Sequence, residues 1–303
     1  GLGFGVPQEM VDLYFMKDGR RIVDDENYKE YTGVPSSDYL GWSTDYNDVV
    51  VSDRTYFKAN SDKTLKQWAD REPRFYTNIT FNGSTWLKTD TPRGKVTTEL
   101  TFNGNSGYAN ANWDAPYTGY GMRKMAPKEG RSGANRHCAT LLRLADMYLG
   151  YAETLSACEQ RDEAIRYVNK VRARAGIPGY GKTGTTDENG FVCIPYEDTR
   201  DGVDKRIRRE RLVELMFEWN HFFDVRRWKV ADMADDWIYP KYHKGGEGGA
   251  IHGMAFRSDA PAFFEKVVVE TRTFLTKHYL FPIPDEDVRR NPKMVQNLGW
   301  TTE

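Results

Sequence analysis

A chain of 303 residues can bury a full core, as one large domain or two. Its 43 Lys and Arg nearly cancel its 44 Asp and Glu, so no overall field draws in nucleic acid or an acidic membrane surface. Cys138, Cys158 and Cys193 lack C-x-x-C spacing, which indicates neither a zinc site nor a disulfide framework.

No apolar run approaches the roughly 20 residues of a membrane span. The chain opens Gly-Leu-Gly-Phe-Gly, without Met and without a basic-then-apolar leader, and reads as a processed or excised form. Aromatic residues make up 14% of it, against a mean hydropathy of −0.72, so some rings should be exposed.

Residues 1–135 read as a loop-rich lobe with short helices and hairpins. Short helices are expected from Pro7 to Met16 and from Asp62 to Asp70. The stretch Phe75 to Gly83 alternates into an Asn-Gly turn, as a hairpin strand would.

Residues 136–303 read as a helical portion. Leu141, Leu144, Ala145, Tyr148, Ala152 and Leu155 recur at three and four, and Ala164, Ile165, Val168, Val171 and Ala175 follow after a charged turn. The pair makes a helical hairpin over 141–175. Its Tyr148, Tyr151, Ala152, Leu155, Ala164, Val168 and Val171 fit the large and small positions of a tetratricopeptide repeat. One such unit cannot bury its faces alone, so neighbouring copies are expected outside this chain. A long helix is predicted over 204–230, then a glycine-rich loop, "HKGGEGGAIHG", and a Pro-punctuated tail.

"GIPGYGKT", Gly176 to Thr183, fits a phosphate-loop pattern letter for letter. Its context is wrong, because it follows a helix instead of a strand and leads into the loop "GTTDENG" instead of a helix. Gly176 is better explained as the stop residue of the second hairpin helix, with Pro178 preventing continuation. Glu210 and Glu214 lie one turn apart on an arginine-rich helix and read as salt-bridged, not as a carboxylate pair flanking a glycosidic bond. His243, Glu247 and His252 could gather around a metal, but their spacing fits no standard zinc pattern and the flexible polar loop is preferred. No cofactor and no resident metal are expected, and no enzyme motif is found.

What remains is aromatic rings in loops: Tyr28, Tyr31, Tyr39, Trp42, Trp86, Tyr108, Trp113, Tyr117 and Tyr120. Flat pyranose rings offer C–H patches that stack on such faces, and nearby Asn and Asp can bond the hydroxyls.

Five segments, Arg71 to Gly83, Thr118 to Met125, Leu141 to Gly176, Arg208 to Trp228 and Tyr279 to Trp300, together resemble the SusD/RagB family. These are surface glycan-binding lipoproteins of Bacteroidetes that work with TonB-dependent outer-membrane transporters of the SusC type. The resemblance implies a mainly α, SusD-like fold with a tetratricopeptide-type hairpin and a large loop-rich lobe, the C-terminal half of such a protein. It implies capture of a polysaccharide or oligosaccharide without cleavage, and delivery to the transporter. Membrane attachment would run only through an N-terminal lipid absent from this chain. Trp42, with Tyr39 and Tyr31, sits where stacking residues are often found in the family, and Trp86 and Trp113 rank next. Where the family usually carries Gly after the helix glutamate, and Arg two residues later, this chain has Trp219 and His221. Its tail has Leu298 where the family usually has Pro. A tetratricopeptide-like adaptor, which would bind protein without sugar, and a glycoside hydrolase, which would release reducing ends, are the competing readings.

Overall fold

A computed structural model describes residues 5–24, 42–43, 64–87, 95–124, 140–240 and 242–300. The described chain is mainly helical, with strands of two to five residues. The helices are α1 (Gln8–Leu13), α2 (Pro73–Asn78), α3 (Tyr108–Ala111), α4 (Leu144–Ala157), α5 (Arg161–Ala175), α6 (Arg200–Glu214), α7 (Asn220–Arg227) and α8 (Asp285–Arg290). The strands are β1 (Trp42–Ser43), β2 (Thr64–Leu65), β3 (Ile79–Thr80), β4 (Thr85–Leu87), β5 (Lys95–Thr97), β6 (Gly121–Met122), β7 (Ile251–Met254) and β8 (Lys266–Glu270). They form antiparallel pairs: β1 with β2, β3 with β6, β4 with β5, and β7 with β8.

The helical hairpin forms as its period predicts. Leu149, Ala152 and Leu155 of α4 meet Ala164, Ile165, Val168 and Val171 of α5, and Val203 and Ile207 of α6 complete the cluster. Of the expected inner-face residues, Leu141 lies before the helix and is 95% exposed, and Leu144 is also exposed. The helix α5 ends at Gly176, which is left-handed at φ 77°, with Ile177 N donating to Arg172 O at 3.2 Å. The "GIPGYGKT" stretch therefore leaves a helix and enters an irregular loop.

A larger cluster draws on both ends of the chain. Tyr14, Phe15, Trp68, Phe75, Phe81 and Tyr120 pack with Leu212, Met216, Val225, Met254 and Phe263. Six residues of α1 are too few to hold a helix unaided. Its terminal carbonyls are instead taken by buried arginines from elsewhere in the chain. Arg71 donates to Val11 O and Tyr14 O at 2.6 and 2.9 Å, and Arg209 donates to Leu13 O and Asp12 O at 2.8 and 2.9 Å. The helix stops at Leu13, short of Met16, because Tyr14 turns extended.

Charge is buried alongside. Arg74, in α2, lies 2.6 Å from Glu72, 2.7 Å from Glu210 and 2.9 Å from Glu214. Glu210 also pairs with Arg172 at 3.0 Å, and Glu214 with Arg143 and Arg174 at 2.5 and 2.6 Å. Glu210 and Glu214 are salt-bridged, as their setting on the helix suggested, but to arginines from other elements. The segments around Arg71 and Arg208 are thus locked together as scaffold.

Three expectations are corrected. Phe75 to Asn78 are helical, because Pro73 sits at the first turn of α2, and only Ile79–Thr80 form strand, paired with β6. Between Asp62 and Asp70, the described residues hold β2 and a short 3-10 turn over Lys66–Trp68. The long helix over 204–230 is two helices, broken where Phe217 and Trp219 take positive φ of 67° and 68°. Lys124 Nζ donates to Glu214 O at 2.8 Å and to Met216 O at 3.0 Å, and Arg143 Nη2 donates to Glu214 O at 2.7 Å. These cations claim carbonyls that a continuing helix would need.

Left-handed backbone at Trp219 accounts for the glycine usual at this place in the family, since a side chain there costs about 1–2 kcal/mol. Trp219 is exposed, so little packing is lost with its ring. Trp219→Gly is expected to gain about 0.5–1 kcal/mol, after the entropy glycine costs. A lower urea midpoint in this variant would show that the indole has a packing role.

Candidate functional site

The site begins with a turn-rich stretch before α3. Asn105 Nδ2 donates to Thr97 O at 2.7 Å, and Asn105 Oδ1 accepts from Glu99 N at 3.1 Å. Asn110 Nδ2 donates to Asn103 O and Gly104 O at 2.9 and 3.0 Å. These side chains bond backbone groups of the loop and of the end of β5. Gly107 is required by space, since a Cβ there would lie 1.7 Å from Thr101 O.

The loop between β7 and β8 is tied to it. Phe102 N donates to Ser258 O at 3.0 Å, and Asn103 donates from N and Nδ2 to Asp259 at 3.0 and 2.5 Å. This seam gathers four rings. Tyr117 stacks on Phe256 at 5.2 Å between centroids, and Phe102 stacks on Tyr108 at 6.4 Å. Tyr108 meets Phe256 edge-on at 5.6 Å, and the Arg257 guanidinium lies over Tyr108 and Phe256 at 5.2 and 5.4 Å. Tyr117 is 37% exposed, and Trp113, in the 3-10 turn after α3, is 59% exposed. Ring faces, phenol hydroxyls, amides and a guanidinium thus share one surface. That set can stack on a sugar ring and bond its hydroxyls.

Of the residues ranked from sequence, Trp113 lies in this lobe. Tyr31 and Tyr39 fall outside the described residues. Trp42 is in β1, opposite Leu65, and Trp86 is in β4, opposite Val96. Tyr120 is buried and accepts from Trp68 Nε1 at 3.1 Å, so it belongs to the core. Phe102 and Phe256 were missed. The run Asn103-Gly104-Asn105-Ser106-Gly107, flanked by Phe102 and Tyr108, carried a signal for the first of them.

The glycine-rich loop makes a second constellation. His243 and His252 converge on Glu9 of α1. Glu247 does not join them. It accepts from Tyr239 Oη at 2.8 Å and bonds His221 Nε2 at 2.9 Å. Burial pushes the Glu247 carboxyl up, but the His221 bond and charge more than offset this and hold it at about 2. A cleft of about 50 Å³ is lined by Glu9, His221, Tyr239, His243, Glu247 and Arg272 among others.

Among the described residues, no helix is long and apolar enough to cross a membrane. The structure is similar to a SusD-like protein of Bacteroides fragilis NCTC 9343, at 25% identity and TM-score 0.68, over 98% of this chain and 47% of that one. It is similar at 0.67 to the protein BT4246, at 25% identity, over 96% of this chain and 43% of that one. A SusD-like carbohydrate binding protein of B. fragilis NCTC 9343 shares the fold at 20% identity and TM-score 0.54, over 93% of this chain and 46% of that one. The chain thus spans about half the length of the solved relatives it matches. No curated protein matches it. The sequence fits the profile of the SusD family over residues 1–300, and with the SusD-like fold this establishes that the chain belongs to the SusD family.

Proposed function

We propose that this chain captures a polysaccharide or oligosaccharide at the cell surface, without cleaving it, and passes it to a SusC-like TonB-dependent transporter. The observation that carries the reading is the ring surface of Tyr108, Tyr117 and Phe256, held by two hydrogen-bonded loops beside exposed Trp113. Trp42, Tyr39, Tyr31 and Trp86 are proposed as further stacking residues of the same lobe. The protein would be a lipoprotein of the outer membrane, held by an N-terminal lipid, with no part for nucleic acid.

The test is native affinity electrophoresis through gels containing plant, fungal and host polysaccharides, with reducing ends assayed in parallel. Retardation by a glycan without new reducing ends is expected. Covering roughly a third of an aromatic side chain's ~150 Å² at about 25 cal/mol per Å² is worth about 1.3 kcal/mol, close to tenfold in affinity. The Trp113→Ala/Tyr117→Ala pair is therefore expected to weaken binding about tenfold or more. Unchanged retardation would move the site to the other aromatics, and new reducing ends would favour the hydrolase.

An adaptor role is favoured by one observation. Leu144, Met147 and Tyr151 of α4 are exposed. That reading predicts binding to protein and none to any glycan.

A further inference from the structure

Two imidazoles aim Nδ1 at one carboxylate oxygen. Glu9 Oε1 lies 3.3 Å from His243 Nδ1 and 2.5 Å from His252 Nδ1. The other nitrogen of His243, Nε2, lies 2.5 Å from the carbonyl oxygen of Gly246. A carbonyl only accepts, so Nε2 carries a proton, and the neutral ring presents Nδ1 as a bare lone pair. That lone pair faces an oxygen that is itself an acceptor. Such an arrangement needs positive charge between the two atoms, either a proton or a metal ion.

Several features fit the metal. The three ligand atoms lie within 4.8 Å of one another, and Glu9 and His243 are buried. Tetrahedral zinc with bonds of about 2.0–2.1 Å separates its ligand atoms by about 3.3 Å. Glu9 and His243 already stand at 3.3 Å, and His252 Nδ1, at 2.5 Å, has to withdraw from the Glu9 oxygen by less than ~1 Å.

The surroundings orient the ligands as zinc proteins do. Gly246 O fixes the His243 tautomer, and Tyr239 stacks on that ring at 5.0 Å. The backbone N–H of His252 reaches both Glu9 oxygens at 3.2 Å. The cleft of about 50 Å³ beside Glu9 and His243 exceeds the 10–15 Å³ or so that one water needs, which leaves room for a fourth ligand.

We propose that Glu9, His243 and His252 form a site for a divalent transition metal, Zn²⁺ by preference, with one position left to water. Imidazole nitrogen selects this class over Ca²⁺ and Mg²⁺, which take oxygen ligands. Glu9 is 234 residues from His243, so the ion clips the glycine-rich loop onto α1. The short helix and the loop then become one unit.

The test uses this chain stripped with a chelator, free of any affinity tag, and titrated with zinc chloride by calorimetry. One Zn²⁺ per chain is expected. Glu9→Gln, which keeps the carboxylate's shape without its charge, and His252→Ala should each weaken binding about 100-fold. Zinc should raise the melting temperature of the wild type and leave that of the variants unchanged. X-ray absorption on the wild type needs no variant, and two imidazoles with oxygen ligands are expected in its spectrum. Sulfur ligands, or binding by the wild type no tighter than by a Glu9→Gln/His252→Ala double variant, would overturn the site and leave a proton as the bridging charge.

Discussion

Arg74→Met is expected to destabilise the fold by about 3–5 kcal/mol, the range for breaking a buried ion pair from one side. Among the described residues, Arg74 is the one guanidinium within 3 Å of Glu72, Glu210 and Glu214 together. Without it, Glu210 keeps Arg172, and Glu214 keeps Arg143 and Arg174. Glu72 is left with the backbone N–H of Phe15 at 2.8 Å, fully buried. An uncompensated carboxylate there explains most of the expected loss. Adding Glu72→Gln to Arg74→Met should therefore recover part of it, and the double variant should be the more stable of the two. Urea unfolding of the wild type, both single variants and the pair measures the coupling. A cost below about 1 kcal/mol for Arg74→Met would mean that water reaches the cluster and screens it.

Acid is expected to destabilise the protein through the same cluster. Burial raises the Glu214 carboxyl, but Arg74, Arg174 and Arg143 more than offset this and hold it at about 2, below its ordinary 4.5. The folded state thus binds this proton more weakly than the unfolded one. Its contribution is fully present above pH 4.5 and is lost as pH falls from 4.5 towards about 2. At 1.36 kcal/mol per pH unit the loss amounts to about 3 kcal/mol. Glu247, also held at about 2, adds in the same direction. Urea midpoints measured across this window should fall with pH, and Glu214→Gln should start lower and show a shallower slope. An identical slope in that variant would remove Glu214 from the account.

The helical hairpin was legible in the sequence because burial along α4 and α5 follows a 3.6-residue period. Gly176 was legible because a left-handed stop prefers glycine and Pro178 follows. The break after Glu214 was not, because Phe217 and Trp219 carry side chains in a conformation that favours glycine. It depends on Lys124 and Arg143, remote in sequence from the carbonyls they bond. The metal-ligand set was half legible. The two histidines sit in one loop, but the acid close to them in sequence, Glu247, turns to His221, while the acid that meets them lies at position 9. The ring surface needed the β7–β8 loop folded onto residues 102–108, and no local period records such a meeting.

Arg209 bonds Leu13 O and Asp12 O across 196 and 197 residues. Synthesis at about 5–20 residues per second puts about 10–40 s between the emergence of α1 and that of the arginine that caps it. During that interval α1 lacks the arginine that takes these two carbonyls. Because synthesis runs from the N-terminal side, α1 is made well before α6 and is among the later of the described helices to become secure.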